Sequence, residues 1–390
     1  MSRPAVRSGE AAEEIGSQDR SRHSWRRASW RRLLADSVTR VADLPARLRP
    51  LTANGIDGLD RVAAAYPMRI NPYYLSLIET AADPLGLQAL PDFREIHLHG
   101  WTADPLHEEP LSPVPHLIHR YPDRAVFLVS SQCALYCRHC MRKRRVGDPL
   151  GAANRIDELS AGIDHIARTE AIRDVILSGG DPLLLEDERL DWILGELGRI
   201  PHVEIVRIHS RIPCSLPQRV TDGLVAILSR HQPLYLNTQF NHPRELTAEA
   251  AAACERLAAA GIPLGNQAVL LKGVNNDAVT LGRLFRGLLR MRVKPYYLHH
   301  PDQVRSTGHF WSSPQEGLAL LAGLRGHISG LGIPHYVIDL PGGHGKVPLT
   351  PEGVVGQDGD TWRIRTSSGE IVDYGIEPNC PRHAAAKSSG

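Results

Sequence analysis

The stretch "AVFLVSSQCALYCRHCMRKRRVG", residues 125–147, joins a short β-rich run to a loop carrying Cys133, Cys137 and Cys140 and then a run of basic side chains. Working outward from it, the pattern of a β-rich run followed by an unusual loop repeats. It recurs at "DVILSGG" (174–180), "EIVRIHS" (204–210), "PLYLNTQF" (233–240), "GNQAVLL" (265–271) and "KPYYLHH" (294–300). Between these lie longer stretches of helical periodicity, such as "RIDELSAGIDHIARTE" (155–170) and "DGLVAILSRH" (222–231). Each strand-plus-helix unit takes roughly thirty residues, as consecutive right-handed βαβ crossovers on a parallel sheet do. Six units are fewer than an eight-fold barrel needs, so the expected fold class is α/β, an open, partial (β/α)6 barrel, with a doubly wound sheet as the alternative. Either fold places functional residues at the C-terminal ends of strands. The unusual residues fall there: the cysteines after "AVFLVSS", "SGGD" after "DVIL", "NTQFNHP" after "PLYL" and "HHPD" after "KPYYL".

Three thiols from one loop pose a question of metal chemistry. A structural zinc site takes four protein ligands, usually as two paired hooks, and no second hook follows downstream. His139 is adjacent to Cys140 and poorly placed to share one tetrahedral ion with all three thiolates. A [4Fe–4S] cluster suits C-x3-C-x2-C better, because its irons are several ångströms apart and a short loop reaches three of them. The fourth iron then lacks a protein ligand and is open to a substrate or cofactor. The competing reading is a chance clustering of thiols.

Composition sets the compartment. The chain of 390 residues has a formal charge of +2, too small to imply nucleic acid or membrane binding by itself. It has neither a signal-peptide pattern nor eighteen uninterrupted apolar residues, so a cytoplasmic protein is expected, with no membrane and no nucleic-acid partner. Six cysteines are too few for a disulfide scaffold, and Cys214, Cys254 and Cys380 stand far apart, as small buried hydrophobes would. Residues 1–23, rich in Ser, Arg and Glu, read as a disordered leader. Trp30, Leu34, Val38 and Val41 then recur at helical spacing and open an N-terminal helical region over 24–118; its arginines read as a solvated face. The barrel is expected over 119–330 and a C-terminal segment over 331–390.

That last segment holds "VIDLPGGHGKVPL", residues 337–349, where glycines before Lys346 let the backbone approach a flat ligand and leave the lysine free to swing. A phosphate-binding loop is ruled out, since its lysine is followed by a hydroxyl residue and here Val347 follows. A plain surface turn is the competing reading.

The cysteine loop, with "SGGDP" one unit later, resembles the radical S-adenosylmethionine superfamily. From "SWRRLLADSVTRV" through "PYYLSLIE", "DPLHE", "SPVPHLIHRYPDR", "LPQRVT", "NHPRELT", "GIPLGNQAVLLKGVN" and "VKPYYLHH" to the glycine-rich loop, the chain resembles the lysine 2,3-aminomutase family. The resemblance implies a [4Fe–4S] cluster on Cys133, Cys137 and Cys140, and S-adenosylmethionine against Ser178, Gly179, Gly180 and Asp181. It implies pyridoxal phosphate condensed with Lys346, its phosphate held by Arg120 and Arg124. Guanidinium forks suit a dianionic phosphate, and a lysine amine is the group that condenses with an aldehyde.

The implied reaction moves an amino group from C2 to C3 of a small-molecule amino acid. Arg142 matches the arginine that pairs with the substrate carboxylate, and Asp302 and Asp339 match two aspartates that receive a side-chain cation. Two converging carboxylates call for a positive charge between them, which favours L-lysine, keeps L-arginine as an alternative and disfavours glutamate. An accessory role in attaching β-lysine to a translation factor is a further alternative; a non-catalytic redox sensor would leave Lys346, Arg142 and both aspartates without a purpose. An electron donor such as flavodoxin or ferredoxin is implied, and a homo-oligomer is left open. The chain departs from the family's usual pattern at its tail, "YGIEPNCPRH", where Cys380 stands alone, and at Asp277, where an additional cysteine would fall. The zinc site built on those cysteines is expected to be absent. His299, His300, Pro301 and His344 also depart, and they flank the substrate aspartates.

Overall fold

A computed structural model describes residues 24–49, 53–97, 101–147, 156–350, 354–359, 361–365 and 370–374. The leader expected over 1–23 and Cys380 lie outside them. One sheet of nine strands runs in chain order: β1 (Leu117–Tyr121), β2 (Arg124–Ser130), β3 (Asp174–Gly179), β4 (Ile205–His209), β5 (Leu234–Thr238), β6 (Leu264–Val269), β7 (Lys294–His299), β8 (His335–Leu340) and β9 (Gly345–Pro348). Strands β2 to β8 are parallel, while β1 and β9 are antiparallel additions at the two edges.

Six helices carry the crossovers: α1 (Ile156–Arg168), α2 (Asp187–Gly198), α3 (Asp222–Arg230), α4 (Ala248–Ala259), α5 (Ala278–Arg290) and α6 (Pro314–Leu324). Six strand-helix units followed by a further parallel strand give the partial (β/α)6 barrel expected from the sequence. Most crossover helices start on a side-chain cap that satisfies a free backbone N–H: Thr221, Thr247, Asp277 and Ser313 each accept from the N–H three residues on. Asp277, at the place of the missing cysteine, is thus the N-cap of α5. Their apolar stripes, such as Leu281, Leu284, Phe285 and Leu288 on α5, pack on the sheet in one continuous core.

Two local differences from the sequence reading have physical causes. The helix expected from Trp30 through Val41 ends at Ala35, because the Ser37 hydroxyl bonds back to the Leu34 carbonyl at 2.7 Å and Val38 turns out to pair with Ile70. Its arginines make ion pairs, Arg32 with Asp36 and Arg31 with Glu186. Residues 335–348, grouped in the sequence with the C-terminal segment, join the barrel sheet, because "HYVIDL" is a seventh parallel strand on β7. Cys214 and Cys254 are fully buried. No helix among the described residues is long and apolar enough to cross a membrane.

The seam between β9 and β1 is bridged by polar contacts. The Lys346 backbone N–H donates to Tyr121 Oη at 2.7 Å, and the Gly342 N–H to the Pro105 carbonyl at 2.8 Å.

Candidate active site

The C-terminal ends of β2, β3, β7 and β8 open on two adjoining cavities of about 250 and 580 Å³. Cys133, Cys137, Cys140, Ser178, Gly179, Gly180, Asp181 and Asp302 line the smaller. Arg120, Arg124 and Lys346 line the larger, and Arg142, Ser178, His299 and Asp339 line both. The residues singled out in the sequence are all brought to one region.

The cysteine loop is held from both sides. Gly179 has φ of 116°, and a Cβ on it would lie 2.3 Å from the Ser130 carbonyl oxygen. A Cβ on Gly180 would lie 2.5 Å from the Gln132 carbonyl oxygen. Both glycines are therefore required by the close stacking of β3 on the start of the loop. The Asp181 carboxyl is consumed within the protein, accepting from Ser210 Oγ at 2.7 Å and the Arg211 N–H at 2.8 Å, and burial pushes it up to about 6. Behind the loop, buried Glu95 holds both Arg138 at 2.5 Å and Lys143 at 2.6 Å.

Burial raises the Cys133 thiol well above its usual range and Cys140 to about 11, and a strong positive charge such as iron beside them would favour their thiolates. Among the described residues no three Cys, His, Asp or Glu side chains converge as ligands of one ion. The thiols share a cavity wall instead, which fits a cubane with one thiolate per iron. Arg211, unnoticed in the sequence, places Nη1 2.7 Å from Cys137 Sγ and Nη2 2.6 Å from buried Glu245.

The larger cavity suits a flat anionic ring. Tyr296 and Tyr297 stack at 3.9 Å, and the Arg124 guanidinium lies 4.6 Å over the Tyr121 ring. Arg120 Nε is buried with no hydrogen-bond partner among the described residues, a donor an anion would satisfy. Lys346 stands opposite Asp339 in the β8–β9 pair, across a turn in which Gly342, Gly343 and Gly345 all have positive φ. Its Nζ lies 2.5 Å from Asp339 Oδ2 and 3.2 Å from His299 Nδ1. Burial pushes the Asp339 carboxyl up, but neighbouring His299 and the Lys346 charge outweigh it and hold it well below the usual range. Arg120 Nη1 adds a cation 3.7 Å away.

The two aspartates are therefore unequal. No hydrogen bond or ion pair engages the Asp302 carboxyl among the described residues, and burial with the nearby Asp339 charge pushes it up to about 7. Arg142 is paired with buried Glu108, Nη2 to Oε1 at 2.8 Å, and its Nη1 donates to Ser178 Oγ at 3.2 Å.

A strand-borne cysteine loop locked by glycines at the mouth of a partial barrel defines a radical S-adenosylmethionine enzyme, and residues 127–281 match the Radical SAM superfamily model. Residues 321–388 match the model described as Lysine-2,3-aminomutase. An L-lysine 2,3-aminomutase of Fusobacterium nucleatum is 45% identical over 85% of this chain and 79% of its own length. One from Acetoanaerobium sticklandii is 43% identical over 91% and 85%. A glutamate 2,3-aminomutase of Clostridioides difficile is 41% identical over 91% and 83%. A solved structure of Streptococcus suis SuiB bound to S-adenosylmethionine is 12% identical, covers 56% of this chain and 50% of its own, and has a TM-score of 0.42. The chain belongs to the lysine 2,3-aminomutase family and is a radical SAM aminomutase, an isomerase. The cofactor set expected from the sequence, a [4Fe–4S] cluster, S-adenosylmethionine and pyridoxal phosphate, is the set that membership implies.

Proposed function

We propose that this protein is a pyridoxal phosphate-dependent 2,3-aminomutase of a basic L-amino acid, converting L-lysine to β-lysine, with L-arginine as the second candidate. The observation that carries this reading is Asp302, a buried carboxyl without a counter-ion at the edge of the cavity that Arg142 and Asp339 also line. A glutamate side chain would bring a second anion to this acidic end, whereas an ammonium or guanidinium supplies the missing charge. Overall identity does not separate these substrates, since lysine and glutamate aminomutases are both near relatives; the charge at this end of the site favours the cationic ones.

In this reading Cys133, Cys137 and Cys140 hold the cluster, and Ser178, Gly179 and Gly180 form the wall beside it for S-adenosylmethionine. Lys346 anchors the pyridoxal group, with Arg120 and Arg124 toward its phosphate. When bound, these groups supply hydrogen abstraction and an electron sink. The protein's part is to fix the amino acid at its two ends: Arg142 takes the α-carboxylate, and Asp302 with Asp339 takes the side-chain cation, so that C3 faces the cluster cavity. Buried Glu108 holds the Arg142 guanidinium in place for that carboxylate. Electrons come from a small carrier such as flavodoxin or ferredoxin.

The test is anaerobic incubation of the reconstituted protein with S-adenosylmethionine, pyridoxal phosphate and dithionite, offering lysine, arginine, ornithine and glutamate separately. A β-lysine or β-arginine product is expected. β-Glutamate as the principal product would overturn the substrate class.

A further inference from the structure

His299 closes a three-membered cluster whose geometry points to a specific proton transfer. It ends β7, lines both cavities, and sets Nδ1 3.2 Å from Lys346 Nζ and 3.5 Å from Asp339 Oδ2. An ammonium has only hydrogens to offer, so Nδ1 presents its lone pair to Nζ and the ring hydrogen sits on Nε2. Resting on the reading of Lys346 as the pyridoxal anchor, we propose that His299 is the proton acceptor that converts the Lys346 ammonium to the free amine and later returns that proton.

The alternatives within reach are poorer. Lys346 must lose a proton before its nitrogen can bond to an aldehyde carbon, and Asp339, its nearest partner, is too weak a base. Burial and the Lys346 charge, opposed by Asp339, keep His299 neutral, so its Nδ1 lone pair is open to Nζ. The proton moves from Nζ to Nδ1, and the new imidazolium remains beside Asp339, so the carboxylate that balanced the ammonium balances it in turn. As the carbon–nitrogen bond forms, the proton on Nδ1 goes to the aldehyde oxygen, and a second proton from the attacking nitrogen lets that oxygen leave as water. The sum is ammonium plus aldehyde to protonated imine plus water, with His299 unchanged. The other groups facing this cluster are Tyr297 from β7, whose ring centroid is 5.3 Å from Nζ, Arg120 from β1, His209 from β4, Asp302 after β7, and Arg142 near Asp302. Buried His209 is held neutral by its burial and by the Arg207, Arg142 and Lys346 charges around it.

The experiment follows pyridoxal phosphate incorporation into stripped protein by absorbance, with borohydride reduction and peptide mass locating the adduct. His299→Ala should slow incorporation about a hundredfold, reach wild-type occupancy on long incubation, and recover when imidazole is added. His299→Gln, which can accept a hydrogen bond but not a proton, should be equally slow, and the cluster absorbance of both variants reports that they fold. Incorporation at the wild-type rate in either variant overturns the proposal while leaving Lys346 as anchor. A wild-type protein that gives no reduced adduct on Lys346 overturns both.

Discussion

Arg142 reaches the junction of the two cavities gripped by Glu108, with Nε and Nη2 lying 2.9 and 2.8 Å from the same Oε1. Glu108 also receives Arg144 at 3.2 Å and is 2% exposed, so it acts as a buried fixed point for the guanidinium. Glu108→Gln should leave that guanidinium less ordered. Steady-state kinetics should then show KM for the amino acid rising about tenfold, a loss of roughly 1.4 kcal/mol of binding. A KM equal to wild type would mean that Arg142 needs no such support.

Asp302 makes its end of the proposed site pH-sensitive. An aspartate titrates near 4 in an unfolded chain but near 7 here. Between those values the folded protein retains a proton that the unfolded chain has lost, so this group's contribution to stability falls as pH rises from about 4 to about 7. Asp302→Asn should therefore be the more stable protein at about pH 8, by up to a few kcal/mol, with the difference vanishing below about pH 4. Urea denaturation at the two pH values measures this. Affinity for a cationic amino acid should rise with pH through about 7 in the wild type, and the variant should show no such rise.

Gly345 has φ of 92°, and a Cβ there would lie 3.0 Å from the Tyr121 hydroxyl that holds the Lys346 N–H. Gly345→Ala should cost about 1–2 kcal/mol from the left-handed backbone alone and should displace Lys346 from Asp339. Pyridoxal content per chain should drop while iron content stays unchanged.

Gly180→Ala should give the converse result. The added methyl meets backbone atoms of Gln132 and Ser131 at 2.5–2.7 Å, atoms that no side-chain rotation can move. Iron and sulfide content should fall well below wild type, with pyridoxal incorporation retained.

What was legible in the sequence was local. Cys133, Cys137 and Cys140 announce themselves because a cluster loop is short, and Lys346 because its glycines are adjacent. Glu108 and Arg211 gave no comparable signal, since each acquires its role from a partner on a distant element, Arg142 for one and Cys137 for the other. For Arg211 a cue existed: it is the first residue past "EIVRIHS", the same strand end that carries the site elsewhere. β8 was obscured by its neighbours, because the glycines after "HYVIDL" drew attention to a loop when the preceding residues complete the sheet. The unequal state of Asp302 and Asp339 could not be read from two matched aspartates. It depends on Lys346 lying directly across the β8–β9 pair from only one of them.

The placement of Lys346 on the last strand of the barrel sheet also imposes an order of synthesis. More than half of the chain separates it from Cys140, so during synthesis the cysteine loop leaves the ribosome long before the amine exists. β9 pairs with β8, which in turn pairs with β7. The cysteine half of the proposed site thus exists on a growing chain well before its lysine half, and a nascent chain arrested before β9 would carry the cysteine loop without the amine.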